Sequence, residues 1–206
     1  MVEGESTSMM PKLITFLSSV LQRVAESNDH LDSAIETQKS SAFHGLTRPG
    51  ISLHSYLERI LKYANCSNSC FIVAYVYLDR FAQRQPLLPI NSYNVHRLLI
   101  TSVLVAAKFM DDRCYNNAFY ARVGGISTTE INFLEVDFLF GLGFHLNVTP
   151  NTFHTYCSSL QKEMLLQQPP LTSPITSITS SEISLKTKYL SFEEDESSHQ
   201  QQQVAV

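Results

Sequence analysis

Residues 98–112 read LLITSVLVAAKFMDD, and within them Leu98 to Ala107 form the most apolar run of the chain, with Arg97 and Lys108 at its edges. A bilayer crossing needs roughly 20 such residues, so the run is too short to span a membrane and reads as a helix buried on most of its faces. A second stretch has the same character. Residues 70–81, CFIVAYVYLDRF, are apolar nearly all round until Asp79, and Pro86 and Pro89 stop the helix they open, because proline lacks the backbone N–H and clashes with the preceding turn. Two helices packed on several sides imply a bundle built around a central pair.

The punctuation on either side completes an all-α reading. Ser52 caps a helix that puts Leu53, Tyr56, Leu57, Ile60 and Leu61 on one face and ends near Ala64. Ser67 or Asn68 caps the helix running to Gln85, and Asn91 caps one over Tyr93–Met110. A shorter helix over 117–123 ends at Gly124-Gly125, the residue type that tolerates a left-handed stop. Ser127, Thr128, Thr129 and Glu130 spell a capping box, so a helix follows through INFLEVDFLFGLGF and breaks at Gly141 or Gly143. Thr149-Pro150 opens one more, with Phe153, Tyr156, Cys157 and Leu160. The predicted organisation is therefore a disordered 1–10, a helix over 11–26 with Pro11 at its first position, a linker over 27–50, a five-helix domain over 51–146, and a C-terminal helix within 147–166. A disordered Ser/Thr/Pro/Gln-rich tail over 167–206 follows.

The chain has 206 residues, enough for one core with extensions rather than two domains. Its net charge of −4 divides into −3 over residues 1–44, +2 over 45–165 and −3 over 166–206. A near-neutral centre with no Lys/Arg cluster argues against a phosphate-backbone binder. The four cysteines, Cys66, Cys70, Cys114 and Cys157, form no Cys-x-x-Cys pair and no charged, apolar leader opens the chain, which points to the nucleus or cytoplasm. Cys66 and Cys70 are four apart, and buried structural thiols are the expectation for them. The seven histidines show no spacing that would set two metal ligands on one helix face, so no metal and no cofactor are expected. Gly124-Gly125 follows no strand and carries no phosphate-loop frame, and Asp111-Asp112 sit at a helix end where solvated charge is usual. Nothing here converges as a nucleophile, acid and base would in an enzyme. Ser173-Pro174 and Thr149-Pro150 are minimal proline-directed phosphorylation sites, the second better read as a helix start.

Two charges resist the reading of a solvated face. Lys108 closes the long apolar run, and Glu135 sits between Leu134 and Val136 in a helix with Phe133, Phe138 and Leu139. Three arrangements are open to them: an edge of an apolar surface that a partner covers, an internal ion pair, or a charge carried to water on an apolar stem.

The ordered set VAYVYLDRF, LLITSVLVAAKFMDD and FLEVDFLFGLGFHL resembles the second, third and fifth helices of a cyclin box. With the preceding helix and the Ala-Lys-Phe-Met-Asp-Asp string, it is most similar to the plant P-type, or U-type, cyclins, which are similar to the yeast phosphate-signalling cyclin. The resemblance implies a regulatory subunit without catalysis of its own that binds a cyclin-dependent protein kinase and reorients its regulatory αC helix, in cell-cycle or nutrient signalling. It also implies that Lys108 and Glu135 match the family's Lys and Glu beside that kinase helix. The apolar pocket receiving it then falls at Val105, Phe109, Leu139, Phe144 and Leu146. Helix one, SLHSYLERILKYA, lacks the Met-Arg-Ala-Ile-Leu motif and the Trp with which cell-cycle cyclins dock Arg-x-Leu substrates. No Lys-Glu-Asn motif is found, Arg84-Gln85-Pro86-Leu87 is a minimal Arg-x-x-Leu string at the proline stop of a helix and is not read as a destruction box, and the chain is expected to carry one box without a second repeat. The rival reading is a cyclin-fold module of the transcription-factor kind that contacts nucleic acid, for which the missing basic face is the discriminator.

Overall fold

Burial of one stripe or several on each helix explains how the segments assemble. The computed structural model describes residues 3–32 and 41–166, and folds them into α1 (Glu3–Asp32), α2 (Leu53–Tyr63), α3 (Asn68–Arg84), α4 (Val95–Met110), α5 (Asn117–Gly124), α6 (Thr128–Gly141) and α7 (Pro150–Leu166). Among the described residues there is no strand, and the fold is all-α. The tail over 167–206, with Ser173-Pro174, and part of the expected linker lie outside the described residues.

The central pair is α3 and α4, which pack most extensively on one another. Eleven residues are buried on each, including the run Leu98–Ala107 in full. Around this pair, α2 and α1 cover one side, α5 and α6 another, and α7 lies against α3 and α1. Three aromatic rings lock α3 to α6: Phe81 stacks on Phe138 at 4.9 Å between centroids, and Phe43 meets both edge-on. That packing leaves no room at Gly141, where a Cβ would stand 2.3 Å from the Phe81 ring.

The caps act locally. Ser52 Oγ accepts from the Ser55 N–H at 3.1 Å, and Ser127 Oγ from the Glu130 N–H at 3.1 Å. Gly125 ends α5 in the left-handed region at φ 73°. The capping box is only half made, however. The Glu130 carboxylate turns away from the Ser127 N–H to pair with the Arg97 guanidinium of α4, because a charged partner outcompetes a neutral amide.

Three expectations need correction. Residues 1–10 were expected to be disordered with Pro11 at the first position, yet the helix begins at Glu3 and Pro11 lies inside it. Leu13, Ile14, Phe16, Leu17, Val20, Leu21 and Ala25 are buried along α1, and burial of that stripe exceeds the cost of the one helix bond that proline cannot make. The described parts of the 27–50 segment, expected to be a linker, are fastened to the domain. Helix α1 continues to Asp32, Asn28 Nδ2 donates to the Ile90 carbonyl at 2.8 Å, Asp29 Oδ1 accepts from the Ser92 N–H at 3.0 Å and Oδ2 pairs with Arg48 at 3.2 Å, while Phe43 is only 2% exposed. The third correction concerns α4, which starts at Val95 behind Asn94 rather than at Tyr93 behind Asn91. The Asn91 side chain instead accepts from the Tyr93 N–H at 3.1 Å in a turn that precedes the helix.

Candidate partner-binding site

Lys108 stands in the last turn of α4 and Glu135 near the middle of α6, and the packing of those helices brings them together. Lys108 Nζ donates to Glu135 Oε1 at 2.6 Å, with the side chains 35% and 15% exposed. The other carboxylate oxygen accepts from Asn117 Nδ2 of α5 at 2.7 Å, and the same amide reaches Asn132 Oδ1 at 2.7 Å. Of the three arrangements open in the sequence, the free chain adopts the internal ion pair. It lies at the surface, where its atoms are reachable from solvent on one side.

Apolar side chains flank the pair. Phe109 and Met110, next to Lys108, are exposed. Helix α6 is apolar on opposite sides: Ile131, Leu134 and Phe138 face the core, whereas Phe133, Val136 and Phe140 are 66%, 50% and 68% exposed. Such a stripe at i, i+3 and i+7 on a chain that has polar residues available is what an interaction surface looks like.

The end of α6 adds a further aromatic. Gly143 and Phe144 both adopt φ 59°, a region that a residue with a Cβ enters at a cost. Phe144 N–H closes back on the Leu139 carbonyl at 3.0 Å, and its ring, 57% exposed, meets Phe140 edge-on at 5.2 Å. Helix α3 supplies the grip that holds this turn: Tyr77 OH donates to the Leu146 carbonyl at 2.7 Å, and Arg80 Nη1 donates to the carbonyls of His145 and Asn147, each at 2.9 Å. Burial pushes the Tyr77 phenol up to about 12 despite the nearby Arg80, so it remains a neutral donor.

The seven site residues anticipated from sequence thus divide. Lys108 and Glu135 touch, Phe109 and Phe144 stand in solvent, and Leu139 and Leu146 are half-buried. Val105, one turn before Phe109, is 3% exposed and belongs to the core rather than to an open wall. Sequence reasoning did not place Asn117, Tyr77, Arg80 or the outer stripe Phe133, Val136 and Phe140 among the site residues. Only the last had a signal, since INFLEVDFLFG carries more apolar residues than one buried face can use.

At the base of α4, Asp111 accepts from the Ser67 N–H at 3.0 Å and from Cys70 Sγ at 3.3 Å. Desolvation tends to raise its carboxyl, but those two hydrogen bonds prevail and hold it below the usual carboxylate range. Among the described residues no group of His, Cys, Asp or Glu could hold a metal ion, and no helix is long and apolar enough to cross a membrane.

The fold defines the class, an all-α helical domain, and the two helices that carry its Lys108–Glu135 pair also carry exposed apolar side chains. Comparison with known proteins gives that class its family. The cyclin family model matches residues 8–146. The chain is 65% identical to Cyclin-U4-1 of Arabidopsis thaliana over the whole of both chains. It is 66% identical to Cyclin-U4-2 of the same plant over 77% of this chain and 74% of that one, and 59% identical to Cyclin-P4-1 of Oryza sativa subsp. japonica over 81% of each. The chain belongs to the cyclin family, in its plant U-type or P-type branch. Its role is that of a cyclin, a regulatory protein rather than an enzyme.

Proposed function

We propose that this cyclin binds a cyclin-dependent protein kinase through the surface between α4 and α6, and that it activates the kinase or directs it to substrates. The observation that carries this reading is the Lys108–Glu135 pair at 2.6 Å, on two helices that also carry exposed apolar side chains, Phe109 next to Lys108 in the chain and Phe133, Val136 and Phe140 on the helix of Glu135. Apolar burial by an incoming helix supplies affinity there, and the two charges fix its register. Val105 lies beneath this surface, and Leu139 and Leu146 form its half-buried part.

In a protein kinase the αC helix carries the Glu that pairs with the ATP-binding Lys. A regulatory subunit that holds αC in its active position favours that arrangement only by its differential affinity for it. The exposed aromatics are therefore read as contacts made more fully with the active position of the kinase helix than with the inactive one. The output falls in cell-cycle or nutrient (phosphate) signalling, in the nucleus or cytoplasm.

The test is co-purification of the full chain with a panel of cyclin-dependent kinases, wild type beside the Lys108→Ala, Glu135→Ala double variant, followed by a kinase assay on whatever is captured. Selective capture that the double variant loses supports the surface, and added kinase activity identifies an activator. A folded chain that captures no kinase defeats the proposal.

A further inference from the structure

The seam between α2 and α5 carries rings and charge that the α4–α6 surface does not use. The two helices lie side by side in opposite directions. Tyr56 OH, near the start of α2, donates to the Gly124 carbonyl at the end of α5 at 3.1 Å, and Arg59 Nη2 donates to the Arg122 carbonyl at 2.9 Å. Asn65 Nδ2, just past α2, donates to Tyr115 OH, just ahead of α5, at 2.8 Å. Two tyrosines stand open along this line, Tyr63 54% and Tyr115 42% exposed. The Tyr115 ring stacks on Phe119 at 4.1 Å, and Lys62 Nζ lies 5.1 Å from the centre of the Tyr63 ring.

Cations outnumber acids here. Arg59, Lys62 and Arg122 follow the seam, the last two exposed. The one acid of α2, Glu58, pairs with His54 on the side toward α1, and α5 has none. In the connection before α5, Asp112 is followed at once by Arg113. Exposed rings among unopposed cations fit a peptide that sets aromatic and acidic residues side by side.

The chain contains such a peptide. Residues 189–196 read YLSFEEDE, with Tyr189, Leu190 and Phe192 ahead of four consecutive acids and no base among them. Its attachment point is favourable. Arg80 holds the Asn147 carbonyl before α7 begins, and Tyr156 bonds to Asp79 and meets Tyr75 edge-on. Helix α7 therefore runs antiparallel to α3 and ends toward the start of α3, the end of the domain where Asn65 meets Tyr115. An unstructured chain of the length between 166 and 192 averages about 28 Å from end to end, more than the roughly 25 Å of the whole of α3.

We propose that the acidic segment 189–196 docks on the α2–α5 seam of its own chain, with Leu190 and Phe192 against the Tyr63 and Tyr115 rings and the carboxylates of 193–196 toward Arg59, Lys62 and Arg122. Attachment to the same chain raises the local concentration of the segment to about the millimolar range, so a seam that would hold a separate peptide weakly holds this one.

The full chain is treated with a water-soluble carbodiimide, which joins a carboxylate to a lysine amine as an amide, with loss of one water and no spacer. Trypsin passes over a joined Lys62 and cuts after Arg59, Arg80 and Lys188, so contact at the seam yields peptide 60–80 joined to 189–206. That product is expected from monomeric protein, at a higher yield than any joining the same tail peptide to the exposed Lys12, Lys108 or Lys162. It is expected to be lost in 1 M salt, where charges are screened beyond about 3 Å, and to fall in Arg122→Gln and in Phe192→Ser, both of which keep every carboxylate and lysine. A tail joined equally to all four lysines, or chiefly to Lys108, overturns the proposal. So does a product found only in crosslinked dimers, which places the tail on a second copy, and so does a yield that neither salt nor the two variants alter.

Discussion

Replacing Lys108 with alanine removes a cation that stands 2.6 Å from Glu135, from a pair whose side chains are 35% and 15% exposed. Pairs this open to water contribute about 0.2–1 kcal/mol to folding. Glu135 is not stranded by the change, since Asn117 Nδ2 still donates to it at 2.7 Å. For a chain of this size a loss of 1 kcal/mol lowers Tm by about 2–4 °C, so unfolding of the variant stays within about 4 °C of wild type and helicity is unchanged. Binding responds on a different scale. Truncating one partner of a hydrogen-bonded charge pair that becomes covered at an interface costs about 2–5 kcal/mol, and 2 kcal/mol is already about 30-fold in Kd. Dissociation constants for a kinase captured by wild type, measured beside thermal unfolding of the same samples, give both numbers. Glu135→Ala is expected to behave alike, and the double variant to lose less than the two single losses together, because the groups act as one unit. An unaltered Kd in both single variants refutes the assignment of these residues to the interface. A fall in Tm several times larger, with loss of helicity, refutes the premise that the pair is separable from the fold.

Phe144→Gly is expected to be more stable than Phe144→Ala to thermal or urea unfolding by about 1 kcal/mol, because φ 59° strains any residue with a Cβ; equal stability, or alanine the better, counts against that backbone. Both variants are expected to bind kinase less tightly than wild type, so stability and binding part company at this one position. Gly141→Ala is expected to lose about 1–3 kcal/mol by overpacking, since the added carbon meets the Phe81 ring at 2.3 Å and that ring is stacked on Phe138; a rise in Tm from the better helix former contradicts the packing. His96 donates through Nε2 to the Ile51 carbonyl, 3.0 Å away, while its buried Nδ1 has no hydrogen-bond partner. Burial lowers its pKa below 6.5, with the Ile51 bond opposing. The unfolded chain therefore binds the proton more readily, and the stability due to neutral His96 is complete above pH 6.5 and lost as pH falls through the lower folded value. Denaturant titrations from pH 7.5 downward are expected to show that decline in wild type and a shallower one in His96→Gln.

The central helices were legible because their signal is contained within one segment: CFIVAYVYLDRF and LLITSVLVAA are apolar all round, and only a helix packed on several sides can use such a run. The caps at Ser52 and Ser127 were legible for the same reason, since donor and acceptor lie three residues apart. Legibility failed where a distant partner redirects a local signal. Asn28 and Asp29 read as linker residues, but their side chains bond to Ile90 and Ser92, more than 60 residues along, and Glu130 leaves its own cap for Arg97. The candidate site lies on both sides of this divide. Lys108 and Glu135 stood out as charges in apolar surroundings, which any reader of the chain can see. That they pair with each other in the free protein depends on α4 meeting α6, which no spacing encodes. The pose of Phe144 is further out of reach, because an aromatic at positive φ is held there by Tyr77 and Arg80, which grip three carbonyls 65 to 69 residues away. Those two residues lie in the very run that reads as core, so the stretch that decides the fold also shapes the rim of the surface. A substitution such as Arg80→Met would keep much of the apolar stem while freeing the carbonyls of His145 and Asn147, and its effect should appear at Phe144 before it appears in the core.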